Sequence, residues 1–361
     1  MERGVPGACR RTLLLELWGL GDAVLMTGAL RALLESGRRV TVLCAPPARE
    51  LLAPSYPEAR FFPFRAPWTA FRGKYRLSHW PWDEIAGTLA RLRAQRFHEA
   101  LSVRPDPRDH LLMFLAGAGV RCGFPRGARG LLNHPVARPG ALRHRAEDWS
   151  ALVRSLLAGK TADFAPRLRA EAYPQHDALG LEDPGSPIVA LHCGAARPVR
   201  RWPAAYWGEL VEQLRGRYDF RLLVIADRDG YGQELAPLAD ALVRDVSLAG
   251  LVGLLRSAAL FLGNDSGPGH IAAALGVPTV SIFGPQHPEL FAPNGEHSRV
   301  LAGDVCPHRG CADACHFAEP YCLTRLLPAD VAGGVMAQVD QLIERGVLPR
   351  SLVPRQTGTV N

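Results

Sequence analysis

Three times in this chain an apolar strand runs into a glycine-bearing turn, then a helix, then another apolar strand. The first instance begins with Thr12–Trp18, interrupted by Glu16, and turns at Gly19-Leu20-Gly21-Asp22. A helix is predicted over Ala23–Ser36, where Leu25, Ala29 and Leu33 keep helical spacing, and Val40–Cys44 resumes as a strand. The second instance follows Pro184-Gly185-Ser186-Pro187: strand Ile188–His192, loop Cys193–Pro203, helix Ala204–Arg215 and strand Phe220–Ala226. Further on, strand Leu260–Gly263, helix Ser266–Leu275 and strand Thr279–Phe283 repeat the pattern. Parallel strands need such crossovers, so the fold class is α/β with parallel sheets. A length of 361 residues is too much for one core. The expected division is an N-terminal Rossmann-like domain over 1–170, a linker over 171–187, a C-terminal Rossmann-like domain over 188–345 and a tail over 346–361.

Composition narrows the class. Apolar residues at 47% and charged residues at 21% describe a globular chain. No apolar run reaches the ~18 residues of a membrane span; Leu111–Val120 is ended by Arg121, and the run from Leu248 by Arg256. Arg10 and Arg11 precede Leu13–Leu15, but Glu16 and Asp22 interrupt and no small-residue cleavage site follows, so a cytoplasmic location is expected. The eight cysteines are then expected reduced or metal-bound.

Three loops at predicted strand ends carry the chemistry, where ligands of α/β folds sit. In the segment Asn264-Asp-Ser-Gly-Pro-Gly-His270, Ser266 suits a helix N-cap and Pro268 the first turn. Gly267 and Gly269 let a ligand approach the backbone, so free amides and the helix dipole make an anion site, with His270 as a donor one turn in. Asp265 either accepts from a sugar hydroxyl or braces the turn. The second loop, His192-Cys-Gly-Ala-Ala-Arg197, continues to Arg200-Arg201-Trp202-Pro203. Gly194 permits an anion to approach, and three arginines in five positions offer forks to a diphosphate; Arg201 reads either as one of these forks or as a solvated side chain. The third is Gly19–Asp22, where Asp22 is either an N-cap or a general base.

Taken together these segments resemble glycosyltransferase family nine, the heptosyltransferases of lipopolysaccharide core synthesis. Gly21-Asp22 with Thr27, Gly194 to Pro203, and Asn264 to Pro285 match its motifs in order over nearly the whole chain. The resemblance implies a GT-B fold, two Rossmann-like domains facing each other across a cleft, the first binding acceptor and the second a nucleotide sugar. It implies inverting transfer without a metal, usually from ADP-heptose. By position Asp22 matches the base, and Asp265, Ser266, Gly267 and His270 match donor-site residues together with Gly194 and Ala195. Arg200 stands where the family has a lysine, and Gly28 where it has a proline. For the ribose, Asp227 or Asp229 is the candidate.

From Phe61 to Trp82 there are eight aromatics and four cations (Arg65, Arg72, Lys74, Arg76) with no acid. In an acceptor domain this reads either as a segment meeting an anionic amphiphile at the membrane surface or as a folded loop with its own apolar cluster. Gly21, Arg65, Arg72 and Lys74 are the candidate acceptor contacts. A net charge of +7 admits nucleic acid, but no binding motif accompanies it. Cys306, Cys311, Cys315 and Cys322 fall within 17 positions and are read as candidate zinc or iron ligands or as reduced thiols. Cys193, in the donor loop, is expected to be open to alkylation. The expected function is heptosyl transfer to a lipid-linked, anionic core acceptor. The alternatives are transfer to a protein side chain and a non-catalytic nucleotide-sugar or lipid-binding homologue.

Overall fold

A computed structural model describes residues 10–70, 74–127, 129–138, 143–157, 162–174, 186–303, 306–311 and 314–353. Contacts divide the chain into two compact units, Met1–Leu168 and Arg169–Asn361. The first holds β1 (Arg11–Glu16), α1 (Leu20–Leu25), α2 (Thr27–Glu35), β2 (Arg39–Cys44), α3 (Pro46–Ser55), β3 (Arg60–Pro63), α4 (Trp82–Ala94), β4 (Glu99–Ser102), α5 (Pro107–Leu115), β5 (Val120–Gly123), β6 (His134–Pro135) and α6 (Arg145–Leu157). The second holds β7 (Ile188–His192), α7 (Ala204–Arg215), β8 (Arg221–Ile225), β9 (Ala241–Val243), α8 (Leu248–Arg256), β10 (Leu260–Asn264), α9 (Gly267–Ala274), β11 (Thr279–Phe283), α10 (Pro288–Phe291), β12 (Ser298–Ala302), α11 (Tyr321–Thr324) and α12 (Pro328–Glu344).

Each unit is built on a six-stranded sheet, ordered β3-β2-β1-β4-β5-β6 in the first and β12-β11-β10-β7-β8-β9 in the second. All the pairings are parallel. Helices cover both faces of such sheets, so their inner strands are apolar almost throughout: β1 buries every residue after Arg11, and β10 every residue. In both units the direction of winding reverses between the first and fourth strands, β1 and β4 in one, β7 and β10 in the other. The crevice outside the carboxyl ends of those two strands is where doubly wound sheets bind ligands.

The helix expected over Ala23–Ser36 is two helices with a break at Met26. Thr27 Oγ1 donates to the Val24 carbonyl (2.7 Å) and accepts from the Arg167 amide (3.0 Å), which fixes α2 against the 162–168 segment. Gly28 lies directly against the Phe164 carbonyl, and a β-carbon there would overlap it. The glycine that replaces the family's usual proline is thus a packing requirement.

Most of the linker expected over 171–187 lies outside the described residues. Its first residues belong to the second unit, since Arg256 donates to the Ala170 and Tyr173 carbonyls (3.0 and 3.2 Å). So does the described part of the expected tail, where Leu348 and Leu352 are buried in the second unit's core. Trp202 is fully buried there, edge-on to Trp207 at 4.9 Å, with its Nε1 donating to the Leu326 carbonyl (2.8 Å).

Candidate active site

In the second unit, β7 ends at His192 and β10 at Asn264, the two strands of the winding reversal. The buried Asn264 binds both loops that follow β7: its Nδ2 donates to the Cys193 carbonyl and its Oδ1 accepts from the Trp202 amide (3.1 Å). One side chain at a strand end therefore sets the spacing of the Gly194 loop and the Arg200 turn. Ser266 occupies the N-cap position of α9 but makes no capping hydrogen bond. Its hydroxyl pairs instead with His192 Nδ1 at 3.3 Å. No side-chain oxygen of Ser266 therefore occupies the first-turn amides, which begin at Gly267 and carry the positive end of the dipole. His270, one turn in, is 5% exposed.

Arg200 Nη1 lies 3.5 Å from Asp265 Oδ2, so these two candidate donor residues meet. The solvated reading of Arg201 is corrected: the side chain is a structural tie. Its Nη2 reaches Asp227 (3.1 Å) and Asp229 (2.7 Å), its Nε donates to the Ala195 carbonyl (3.1 Å), and its guanidinium covers the Tyr231 ring. Asp229 is half exposed, and the Arg201 hydrogen bond holds its carboxyl below the usual range. The space above Gly194 is taken by the Asp227 carboxylate, so it is that side chain, rather than an incoming anion, that requires a glycine. Cys193 is fully buried and its thiol is pushed up to about 12 by burial, which disfavours the reactive thiolate and corrects the expectation of alkylation. Burial also lowers His192 to about 4, against the opposing pull of Asp227, so its imidazole is neutral at pH 7.

In the first unit, the N-cap of α1 is Gly19, two residues short of Gly21 and three short of Asp22. Asp22 is thus not the N-cap, and it lies in the first turn of α1, the helix that follows β1. Its Oδ1 is 3.5 Å from Arg145 Nε, and Arg145 Nη1 continues to Asp148 Oδ2 at 3.6 Å. Two further titratable groups share this corner. Glu16, the last residue of β1, is 2% exposed, and burial plus the nearby Asp22 raise it to about 8. Arg104, just past β4, lies over the Trp18 ring at 3.3 Å, and burial lowers its pKa. The corner thus brings together Glu16, protonated at pH 7, with Arg104, Arg145, Asp22 and Asp148.

Among the candidate acceptor contacts, Arg65 is exposed, Lys74 lies 5.3 Å from the Tyr75 ring, and Arg72 falls outside the described residues. Sequence reasoning missed Glu16, Arg104 and Arg145. Arg104 was findable, since it follows a strand end; Arg145 opens a helix far along the chain and carries no local signal.

A metal was one of the two readings of the cysteine segment. Among the described residues no group of three or more His, Cys, Asp and Glu could hold one. Cys306 and Cys322 are buried, and Cys311 and Cys315 are half-buried. The Cys315 sulfur is engaged locally with the Phe317 amide and the Glu319 carbonyl (3.4 Å each).

Comparison with known proteins gives a family model, glycosyltransferase family 9 (heptosyltransferase), matching residues 88–318. Lipopolysaccharide heptosyltransferase 1 of Pseudomonas aeruginosa is 36% identical over 173 residues, 43% of this chain and 48% of that protein. Lipopolysaccharide heptosyltransferase 2 of Escherichia coli is 30% identical over 232 residues, 58% of this chain and 66% of that protein. The match thus spans about half the length of the first of these relatives. Among solved structures, E. coli heptosyltransferase WaaC with ADP superposes with a TM-score of 0.70 at 17% identity, covering 91% of this chain and 99% of that one. The iron-containing dodecameric glycosyltransferase TibC of enterotoxigenic E. coli superposes at 0.56 and 17%, covering 93% and 80%. These likenesses establish the GT-B fold.

Proposed function

Because the chain belongs to glycosyltransferase family 9, we propose that it transfers a heptose or related sugar from an ADP-heptose-class donor to an anionic lipopolysaccharide-core acceptor, inverting the anomeric centre without a metal. The acceptor hydroxyl attacks the anomeric carbon opposite the diphosphate. A new C–O bond forms, the bond to the diphosphate breaks, and its electron pair leaves with the nucleoside diphosphate. Asp22 takes the hydroxyl proton. The first-turn amides of α9, with His270 and Arg200, receive the charge growing on the diphosphate, and Asp265 keeps Arg200 oriented. Arg104 and Arg145 supply the positive field an anionic acceptor needs.

The observation that carries this reading is Asp22 itself: a carboxylate in the first turn of the helix that follows β1, unused as the N-cap and oriented by Arg145. Asp22→Asn keeps the shape and removes the base. Turnover should fall by ~10²–10⁴, with nucleotide affinity by calorimetry unchanged. Turnover that survives the substitution would falsify the assignment.

A further inference from the structure

Helix α5 is apolar on both faces: Leu112 and Met113 are buried in the core beside two polar residues, and a second apolar set points outward. Its inward residues include Asp109 at 1% exposure and His110 at 0%, while Leu111, Phe114 and Leu115 stand out at 43%, 49% and 38%. A helix at an aqueous surface ordinarily keeps its outer face polar. The inward acid anchors an aromatic cluster, because Asp109 accepts from Trp68 Nε1 (2.8 Å) and Ser102 Oγ (3.2 Å). Trp68 begins a ladder of rings, Trp68–Trp80 at 5.6 Å and Trp80–Trp82 at 5.4 Å, that climbs from the core to the half-exposed Trp82. Trp82 is held in place by its Nε1 bond to the Leu77 carbonyl (2.8 Å). Leu77 and Tyr75 are themselves 55% and 76% exposed. Arg108 of α5 lies over the Tyr75 ring at 5.9 Å, which joins the ladder's outer end to the helix. Six large apolar side chains therefore share one face of the first unit.

Cations rim that face. Arg121 lies over Phe114 (5.3 Å), Arg93 donates to the Leu115 carbonyl (3.1 Å), and Lys74 and Arg76 flank Tyr75. Of the acids nearby, Asp106 is paired with Arg108 at 2.7 Å, and Asp83 and Glu84 sit in the first turn of α4. We infer that the outer face of α5 with the 74–82 segment docks on an anionic phospholipid bilayer, its rings and leucines at the acyl boundary and its cations among the headgroups. A second copy of the chain is a poor occupant, because a two-fold pairing sets this cationic rim against itself. The inference deepens the reading of a lipid-borne acceptor and rests on it only for the choice of membrane.

The test is co-sedimentation of the full chain with vesicles of phosphatidylcholine, with and without a quarter of phosphatidylglycerol. Binding should require the anionic lipid, weaken in high salt, and fall at least ~10-fold in Leu111→Ser/Phe114→Ser/Leu115→Ser. The pair Tyr75→Ser/Trp82→Ser, at the other end of the face, should lose binding likewise. Phe317→Ser/Val347→Ser, exposed apolar residues of the second unit, should bind as the native chain does. Absence of binding, equal loss in that control, or a concentration-dependent dimer dispersed by the α5 substitutions without vesicle binding overturns the inference. Turnover on a lipid-free acceptor sugar should persist in the α5 variant, so a failure to dock is separable from a failure of the transferase reading.

Discussion

At position 194 a β-carbon would meet the Asp227 carboxylate oxygen at 2.6 Å. That carboxylate is in turn clamped by Arg201, so it has little freedom to yield. Gly194→Ala should destabilise the chain by ~1–3 kcal/mol and weaken nucleotide binding, measured by urea denaturation and calorimetry; an unchanged midpoint would mean that Asp227 relaxes. The need for glycine here was legible in the sequence, because a glycine at a strand end signals close approach. What approaches was not, since Asp227 enters from the end of a different strand. Arg201 makes the same point. Its charge was visible, but its two carboxylate partners and the Tyr231 ring come together only through the crossover of β8.

Between α1 and α2 the chain breaks at Met26 and seats Gly28 on the backbone of residue 164. Continuous apolar spacing predicts one helix here, and periodicity is blind to a neighbour more than a hundred residues away. A main-chain carbonyl cannot rotate aside as a side chain can, so Gly28→Ala should cost more than ~2 kcal/mol. The contrasting change is Gly87→Ala in α4, where nothing lies within 4 Å of the added carbon; it should stabilise by ~0.5–1 kcal/mol. Thermal melts of the two variants that shifted equally would discard the packing argument. Strands such as Ile188–His192 and Thr279–Phe283 were readable to the residue, because a strand buried on both faces needs an unbroken apolar run. The outward apolar face of α5 was not readable: Leu111 and Leu115 look like core in the sequence, but the fold buries Leu112 and Met113 with Asp109 and leaves those two outside.

At the scale of the whole molecule, two buried acids of the first unit and a buried histidine of the second carry pH dependences of opposite sign. In the first, Glu16 titrates near 8 folded against 4.5 in a free chain, and Asp109 near 6 against 3.8. Folded protein then binds more protons than unfolded, so this contribution is complete below the free-chain values and is lost as pH rises toward 8. In the second, His192 falls from 6.5 to about 4. There the unfolded chain binds more protons, and the contribution is complete above 6.5 and lost as pH falls toward 4. Amide exchange of β1 and β7 peptides between pH 5 and 8, corrected for intrinsic rates, should show β1 losing protection and β7 gaining it. Glu16→Gln should flatten only the first trend; parallel trends in both units would contradict the assignment. The sequence by itself determined the parallel α/β architecture, the three loops at strand ends and the aspartate offered as base, because each rests on residues adjacent in the chain. Only the tertiary structure decided that Glu16, Arg104 and Arg145 would surround Asp22 and that α9 would open without a Ser266 cap. Charge partners and burial are set by distance through space, which sequence separation does not encode.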